Sequence, residues 1–216
     1  MKNRICSLLK SKLKLIILFL CLIAFLAITE DVLSKEIMKG DVIGYNIISK
    51  LLMSDTMTSV AKIITNFGGP IYIIIIAIIF AIAIKNKKIS ISVFTNLIVV
   101  TLINQIIKNI LQRPRPTEYR IIEQGGYSFP SGHSMVSMAF YGYFIYLIFR
   151  YIKNKYLKYI LSTLLLFLII SIGISRIYLG VHYTSDVLGG FLLSISYLII
   201  YVSITKKVIY YFYIKN

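Results

Sequence analysis

Residues 159–205 read YILSTLLLFLIISIGI, then SRIYLGVHYTSD, then VLGGFLLSISYLIIYVSIT. Two apolar runs, Tyr159 to Ile174 and Val187 to Thr205, frame a short polar turn from Ser175 to Asp186. Each run is close to the ~17–25 residues that a helix needs to cross a bilayer. Both are apolar all round, unlike the amphipathic helices of a soluble domain. The turn holds Arg176, His182 and Asp186, in a chain with only two histidines and eight acids. A cation, an imidazole and a carboxylate at the mouth of an apolar bundle are the parts of a phosphate-handling site.

Working outward, four more apolar runs appear: Leu15 to Ile28, Ile71 to Ile84, Ile89 to Ile107 and Ser134 to Phe149. With 58% hydrophobic and 15% charged residues, and a mean hydropathy of +0.82, a soluble globular domain is excluded. The expected fold is an all-α integral membrane protein, one domain over residues 1–216, with six transmembrane helices. The polar segment Thr29 to Asn66 carries Val42, Ile43, Ile47, Ile48, Leu51 and Leu52 at near-helical spacing. It predicts an amphipathic helix on the outer membrane surface, between the first and second spans. Phe67-Gly68-Gly69-Pro70 reads as a turn into the second span, with proline in the first turn of that helix. Thr95, Asn96, Thr101, Asn104 and Gln105 in the third span are expected to face other helices, because lipid offers them no hydrogen-bond partner.

The formal charge of +16 raises a nucleic-acid partner, but the position of the charges excludes it. Lys2, Arg4, Lys10, Lys12 and Lys14 precede the first run; Lys85, Lys87 and Lys88 separate the second and third. Arg150, Lys153, Lys155 and Lys158 separate the fourth and fifth, and Lys206, Lys207 and Lys215 follow the sixth. With both termini cytoplasmic, these four clusters lie inside and all eight Asp and Glu lie outside, which is the positive-inside pattern. The expectation is a multi-pass plasma-membrane protein whose outer loops share the extracytoplasmic face. A basic start before an apolar run also describes a signal peptide. The spacing of Ala24 and Ala27 is a weak cleavage pattern, so an uncleaved first span is expected. Cys6 and Cys21 imply no disulfide framework. Oligomeric state leaves no mark in the sequence.

Three segments meet on the outer face: Lys108 to Pro116, Pro130 to His133, and Ser175 to Asp186. Lys108, Arg115 and Arg176 can hold phosphate oxygens. Ser131 adds a hydroxyl, and Gly132 lets backbone N–H groups approach an anion at a helix start. His182 can attack as neutral imidazole, oriented by Asp186 four residues on. His133 can give a proton to the leaving oxygen. No metal or other cofactor is needed, since three cations take its electrostatic place. A His/His/Asp metal site is the alternative, opposed by the cations crowding it. A non-catalytic headgroup-binding or transport protein would keep the same anion pocket.

Lys-x6-Arg-Pro, Pro-Ser-Gly-His and Ser-Arg-x5-His-x3-Asp resemble the three-part signature of the type 2 phosphatidic acid phosphatase superfamily. Soluble vanadium haloperoxidases share it. The resemblance implies a membrane phosphatase acting on lipid phosphate monoesters or diphosphates, such as phosphatidic acid, phosphatidylglycerol phosphate or polyprenyl diphosphates. It implies a phosphohistidine on His182 with Asp186 orienting it, and His133 as proton donor. Lys108, Arg115, Ser131, Gly132 and Arg176 would bind phosphate. Arg113 lies outside the strict signature and is carried as a headgroup contact. A phosphotransferase would use the same residues.

Overall fold

The computed structural model describes residues 2–34, 37–84 and 86–214, with side chains described over 12–34, 37–84 and 86–206. Readings that fall on Glu36, Lys85 and Lys215, and on the side chains of Lys2, Arg4, Cys6, Lys10 and Lys207, lie outside the described residues. The chain is all-helical there: α1 Lys2–Leu33, α2 Lys39–Leu52, α3 Asp55–Asn66, α4 Pro70–Ile84, α5 Lys87–Leu111, α6 Gly132–Tyr151, α7 Lys155–Tyr178 and α8 Thr184–Ile214.

Four stretches are long and apolar enough to cross a membrane: Lys12–Leu33 of α1, Lys87–Leu111, Lys155–Tyr178 and Thr184–Lys206 of α8. α4 has 15 residues and spans only about 22 Å at ~1.5 Å per residue, short of a ~30 Å hydrocarbon core. It joins α3 across a 53° bend, and the pair together makes a fifth candidate. The stretch from Val42 to Leu52, where the amphipathic helix is expected, lies in α2, and the rest of the polar segment is divided among its neighbours. Thr29 to Leu33 completes α1, α2 stands apart, and α3 leads into α4. The break after α2 has a local cause: Ser54 is extended and its hydroxyl caps α3, accepting from the Met57 N–H at 3.2 Å.

α6 does not reach the apolar composition of the other long helices, because it is enclosed by protein. Ser134, Met135, Ser137, Ala139, Phe140, Tyr141, Tyr143, Phe144 and Leu147 are all buried. It packs against α5, α7 and α8. Polar groups knit this centre. The Asn96 amide donates to the Ala139 carbonyl at 2.9 Å, and the Tyr143 hydroxyl donates to Ser92 Oγ at 2.9 Å. Ser194 donates to the Met135 carbonyl at 2.7 Å. Outward faces, such as Ile71, Ile75, Ile78 and Ile82 on α4 and Leu164 and Phe167 on α7, remain apolar and exposed.

The expectation for the polar residues of α5 needs correction. Asn96 and Asn104 are buried against other helices, but Thr95, Thr101 and Gln105 are exposed. Thr101 and Gln105 open onto a cavity rather than onto a neighbouring helix.

Candidate active site

α5 delivers Lys108 in its last turn and stops at Gln112, which takes the left-handed conformation (φ 47°) while its N–H still bonds the Lys108 carbonyl at 2.9 Å. Pro114 and Pro116 hold the residues before them extended. Side chains two apart on an extended segment normally share a face; here Arg113 and Arg115 diverge to opposite sides of one histidine. Arg115 donates from Nη1 to His182 Nε2 at 2.9 Å and to the Val181 carbonyl at 2.8 Å. Its Nε reaches the carbonyls of Gly125 at 3.2 Å and Gly126 at 2.9 Å. Arg113 turns away, to Asp186 Oδ1 at 2.7 Å and Asp41 Oδ2 at 2.7 Å.

The turn between α7 and α8 presents His182. It closes at Gly180, whose φ of +67° favours glycine. A Cβ added there would lie 2.0 Å from the Tyr119 carbonyl oxygen, and the Ile121 N–H donates to the Leu179 carbonyl at 3.0 Å. The loop between α5 and α6 is thus seated on this turn. α8 opens with Asp186 in its first turn, 3.2 Å from His182 Nδ1 through Oδ2. That oxygen also accepts from the Tyr183 N–H at 2.8 Å and from the Ser128 hydroxyl. An arginine only donates, so Nε2 of His182 is the acceptor of the Arg115 bond. Nδ1 then carries the proton and donates to Asp186. Burial pushes His182 down to about 3, even though Asp186 pulls the other way; Arg115 and Arg176 add to the depression. At neutral pH the ring is a neutral imidazole with its lone pair on Nε2. Burial also brings Arg115 down, to about 10, which leaves it a cation at neutral pH.

A cavity of roughly 490 Å³ collects Lys108, Arg115, Gly132, His133 and His182 on one wall system. Lys108 is held by the carbonyls of Tyr127 and, at 3.1 Å, Ser128. His133 packs against the bend between α3 and α4: a Cβ added to Gly68 would lie 3.2 Å from its Cδ2. The other three sequence candidates stand behind the cavity and are buried. Asp186 backs His182. Ser131 caps α6, accepting from the Ser134 N–H at 3.4 Å, while its own N–H donates to the Asp186 carbonyl at 3.0 Å. Arg176, 1% exposed, gives Nη1 to Thr65 at 2.7 Å and Nη2 to Gln124 at 2.9 Å. Its buried Nε has no acceptor among the described residues. Among those residues, too, no three His, Cys, Asp or Glu side chains converge as metal ligands.

The family model of the PAP2 superfamily matches residues 89–210, more than half of the chain and all three signature segments. This chain belongs to the PAP2 superfamily. Phosphatidylglycerophosphatase B of Bacillus subtilis (strain 168) is 38% identical over 98 residues, 44% of this chain. The match spans 47% of that relative's length, so about half of it. A solved structure has a TM-score of 0.77 at 23% identity, covering 88% of this chain and 96% of its own. It is described as the crystal structure of the first transmembrane PAP2 type phosphatidylglycerolphosphate phosphatase from Bacillus subtilis. At that identity the likeness establishes the fold, a multi-pass helical membrane architecture.

Sequence reading missed four partners of the PAP2 site. Asp41 was one acid among five in the polar segment. Thr65, Gln124 and Ser128 carry no motif. Arg113 was expected at a lipid headgroup, and the structure corrects this: it is 6% exposed and committed to two buried carboxylates. The spacing carried no sign of this, since residues two apart on an extended segment normally share a face, whereas Arg113 turns away from Arg115 to Asp186 and Asp41.

Proposed function

We propose that this PAP2 chain is a membrane phosphatase that hydrolyses lipid phosphate monoesters or diphosphates through a phosphohistidine on His182. The carrying observation is the His182 ring itself: Nδ1 faces Asp186 at 3.2 Å, and Nε2 faces Arg115 at 2.9 Å, beside a cavity walled by Lys108 and His133. The name of the Bacillus subtilis relative supports a lipid phosphate as substrate class. Phosphatidic acid, phosphatidylglycerol phosphate and polyprenyl diphosphates all present the required group.

An arriving phosphate draws the Arg115 guanidinium from Nε2 to its own oxygens, which frees the lone pair. Nε2 forms a bond to phosphorus as the bond to the leaving oxygen breaks, and His133 gives that oxygen its proton. Asp186 stabilises the positive ring through Nδ1–H. A water, deprotonated by His133, then attacks phosphorus, and the P–N bond breaks to return inorganic phosphate and neutral His182. Lys108, Arg115 and the N–H groups at Gly132 take up charge on the phosphoryl oxygens from the cavity wall, backed by Arg176 and Ser131 behind it, and with these donors the chemistry is metal-independent. Six spans, with α6 and the bent α3–α4 pair counted, cytoplasmic termini and an extracytoplasmic site complete the reading; the lysine and arginine clusters support it.

The test is phosphate release from phosphatidic acid by purified protein in excess chelator, beside His182→Ala. Release by the parent alone, blocked by vanadate, is the expected result. Activity lost in chelator and restored by a divalent ion overturns the metal-independent step, and equal release by His182→Ala removes the nucleophile assignment.

A further inference from the structure

Residue 41 lies outside the region matched by the family model, yet it reaches the innermost charges of the site. Asp41, on α2, is 3% exposed. Its Oδ2 accepts from Arg113 Nη2 at 2.7 Å and from Ser185 Oγ at 2.9 Å, and its Oδ1 from the Ser185 N–H at 2.8 Å. Arg113 Nη1 continues to Asp186 Oδ1 at 2.7 Å and Ser185 Oγ at 2.7 Å, with its guanidinium 4.1 Å over the Tyr183 ring. Every charged member is more than nine-tenths buried.

We propose that Asp41 and Arg113 are positioning residues for His182, so that the seating of α2 over the start of α8 sets the orientation of the imidazole. This rests on His182 acting as the nucleophile. Two carboxylates gripped by one planar guanidinium are held at a fixed angle, which a lysine does not reproduce. Oδ1 of Asp186 is pinned by Arg113, so Oδ2 is aimed at Nδ1 of His182. The tautomer, and with it the lone pair on Nε2, then depends on a helix far away in sequence. α2 is also closely seated. A Cβ added to Gly44 would fall 2.2 Å from Thr184 Oγ1, so even one methyl group there pushes α2 away from α8 without touching a charge.

The experiment compares Arg113→Lys, Asp41→Asn and their double variant in the full chain in detergent micelles. It measures kcat and KM on phosphatidic acid, and the tautomer of His182 by ¹⁵N-histidine NMR at neutral pH. With only two histidines in the chain, His133→Gln assigns the second resonance. Arg113→Lys is expected to lower kcat by about 10²-fold and Asp41→Asn by about tenfold, with KM within about threefold. The double variant should fall no lower than Arg113→Lys alone, because Asp41 acts through Arg113. The single Nδ1–H tautomer of the parent should become a mixture in each variant. Unchanged kcat, losses that multiply, or an unchanged tautomer overturns the proposal. If neither charge variant folds, Gly44→Ala carries the test. A several-fold loss of kcat restored by Thr184→Ala supports the proposal, and parent-like kcat and tautomer overturn it. If the parent itself releases no phosphate, the phosphatase reading fails, and the NMR comparison alone decides positioning.

Discussion

The two sides of His182 are built on opposite plans. On the Nδ1 side every charge is matched: Asp186 meets Arg113, Ser128, the Tyr183 N–H and the imidazole, and Arg113 meets Asp41. On the Nε2 side cations face a cavity with no carboxylate on its wall among the described residues. Arg115 and Lys108 there occupy themselves with main-chain carbonyls and the imidazole. A saturated network resists change, because removing Arg113 strands two buried carboxylates, at a cost of about 3–5 kcal/mol. An unsaturated one awaits an anion. The contrast separates what orients the ring from what the ring acts upon.

Replacing the ring itself breaks the comparison outright. His182→Ala should abolish phosphate release, a loss of several orders of magnitude, while the protein still inserts and elutes as folded material. On the open side, Arg115→Ala should cost about 10²–10³-fold in kcat, as removal of a donor to a charged transition state does. Phosphate release at saturating lipid measures it, and a loss confined to KM would assign Arg115 to binding alone. The pH profile sharpens the difference further. His182 is required neutral, so the rate rises with pH as the ring loses its proton. With the ring held down at about 3, that rise should be centred well below the ordinary histidine value of ~6.5. An acid limb centred near 6.5 would mean that the ring is more solvated than its burial implies. The smallest effect is in the scaffold common to both sides. Gly180→Ala forces a left-handed alanine against the Tyr119 carbonyl, at least about 1–2 kcal/mol of strain, read as a lower thermal midpoint of the purified protein.

The open side was legible in the sequence and the closed side was not. Lys108, Arg115, Gly132, His133 and His182 are short-range patterns, each readable from its neighbours, and the cavity brings those five together. Asp41 and Arg113 are 72 residues apart, and the apolar spacing of α2 does not mark its inward face: Val42, Ile43, Ile47 and Leu51 are exposed, whereas Asp41 is buried. Ser128 lies in a loop of no regular period, where only the packed turn at Gly180 decides which hydroxyl points at Asp186. The long apolar runs gave α1, α5, α7 and α8. The sequence misled where polarity stood for burial: Thr95, Thr101 and Gln105 of α5 are expected against other helices and are exposed. The turn read at Phe67-Gly68-Gly69, with Pro70 opening the next helix, is present, but no local pattern announces that the bend it makes between α3 and α4 lies against His133.

The enclosed character of α6 bears on how the protein is made. In the six-span arrangement, a helix that carries Ser134, Ser137, Tyr141 and Tyr143 must leave the translocation channel for a bilayer that offers these groups nothing. Its partner on one side, α7, follows after residues 152–154 only, so the two emerge as a hairpin. The preceding α5 is already in place to receive the Tyr143 hydroxyl through Ser92. Chains arrested before α7 should therefore leave α6 accessible to aqueous cysteine labelling, and chains extended through α8 should protect it. Integration of the central helix becomes a cooperative act of its neighbours, and the site at its N-terminal end is assembled last.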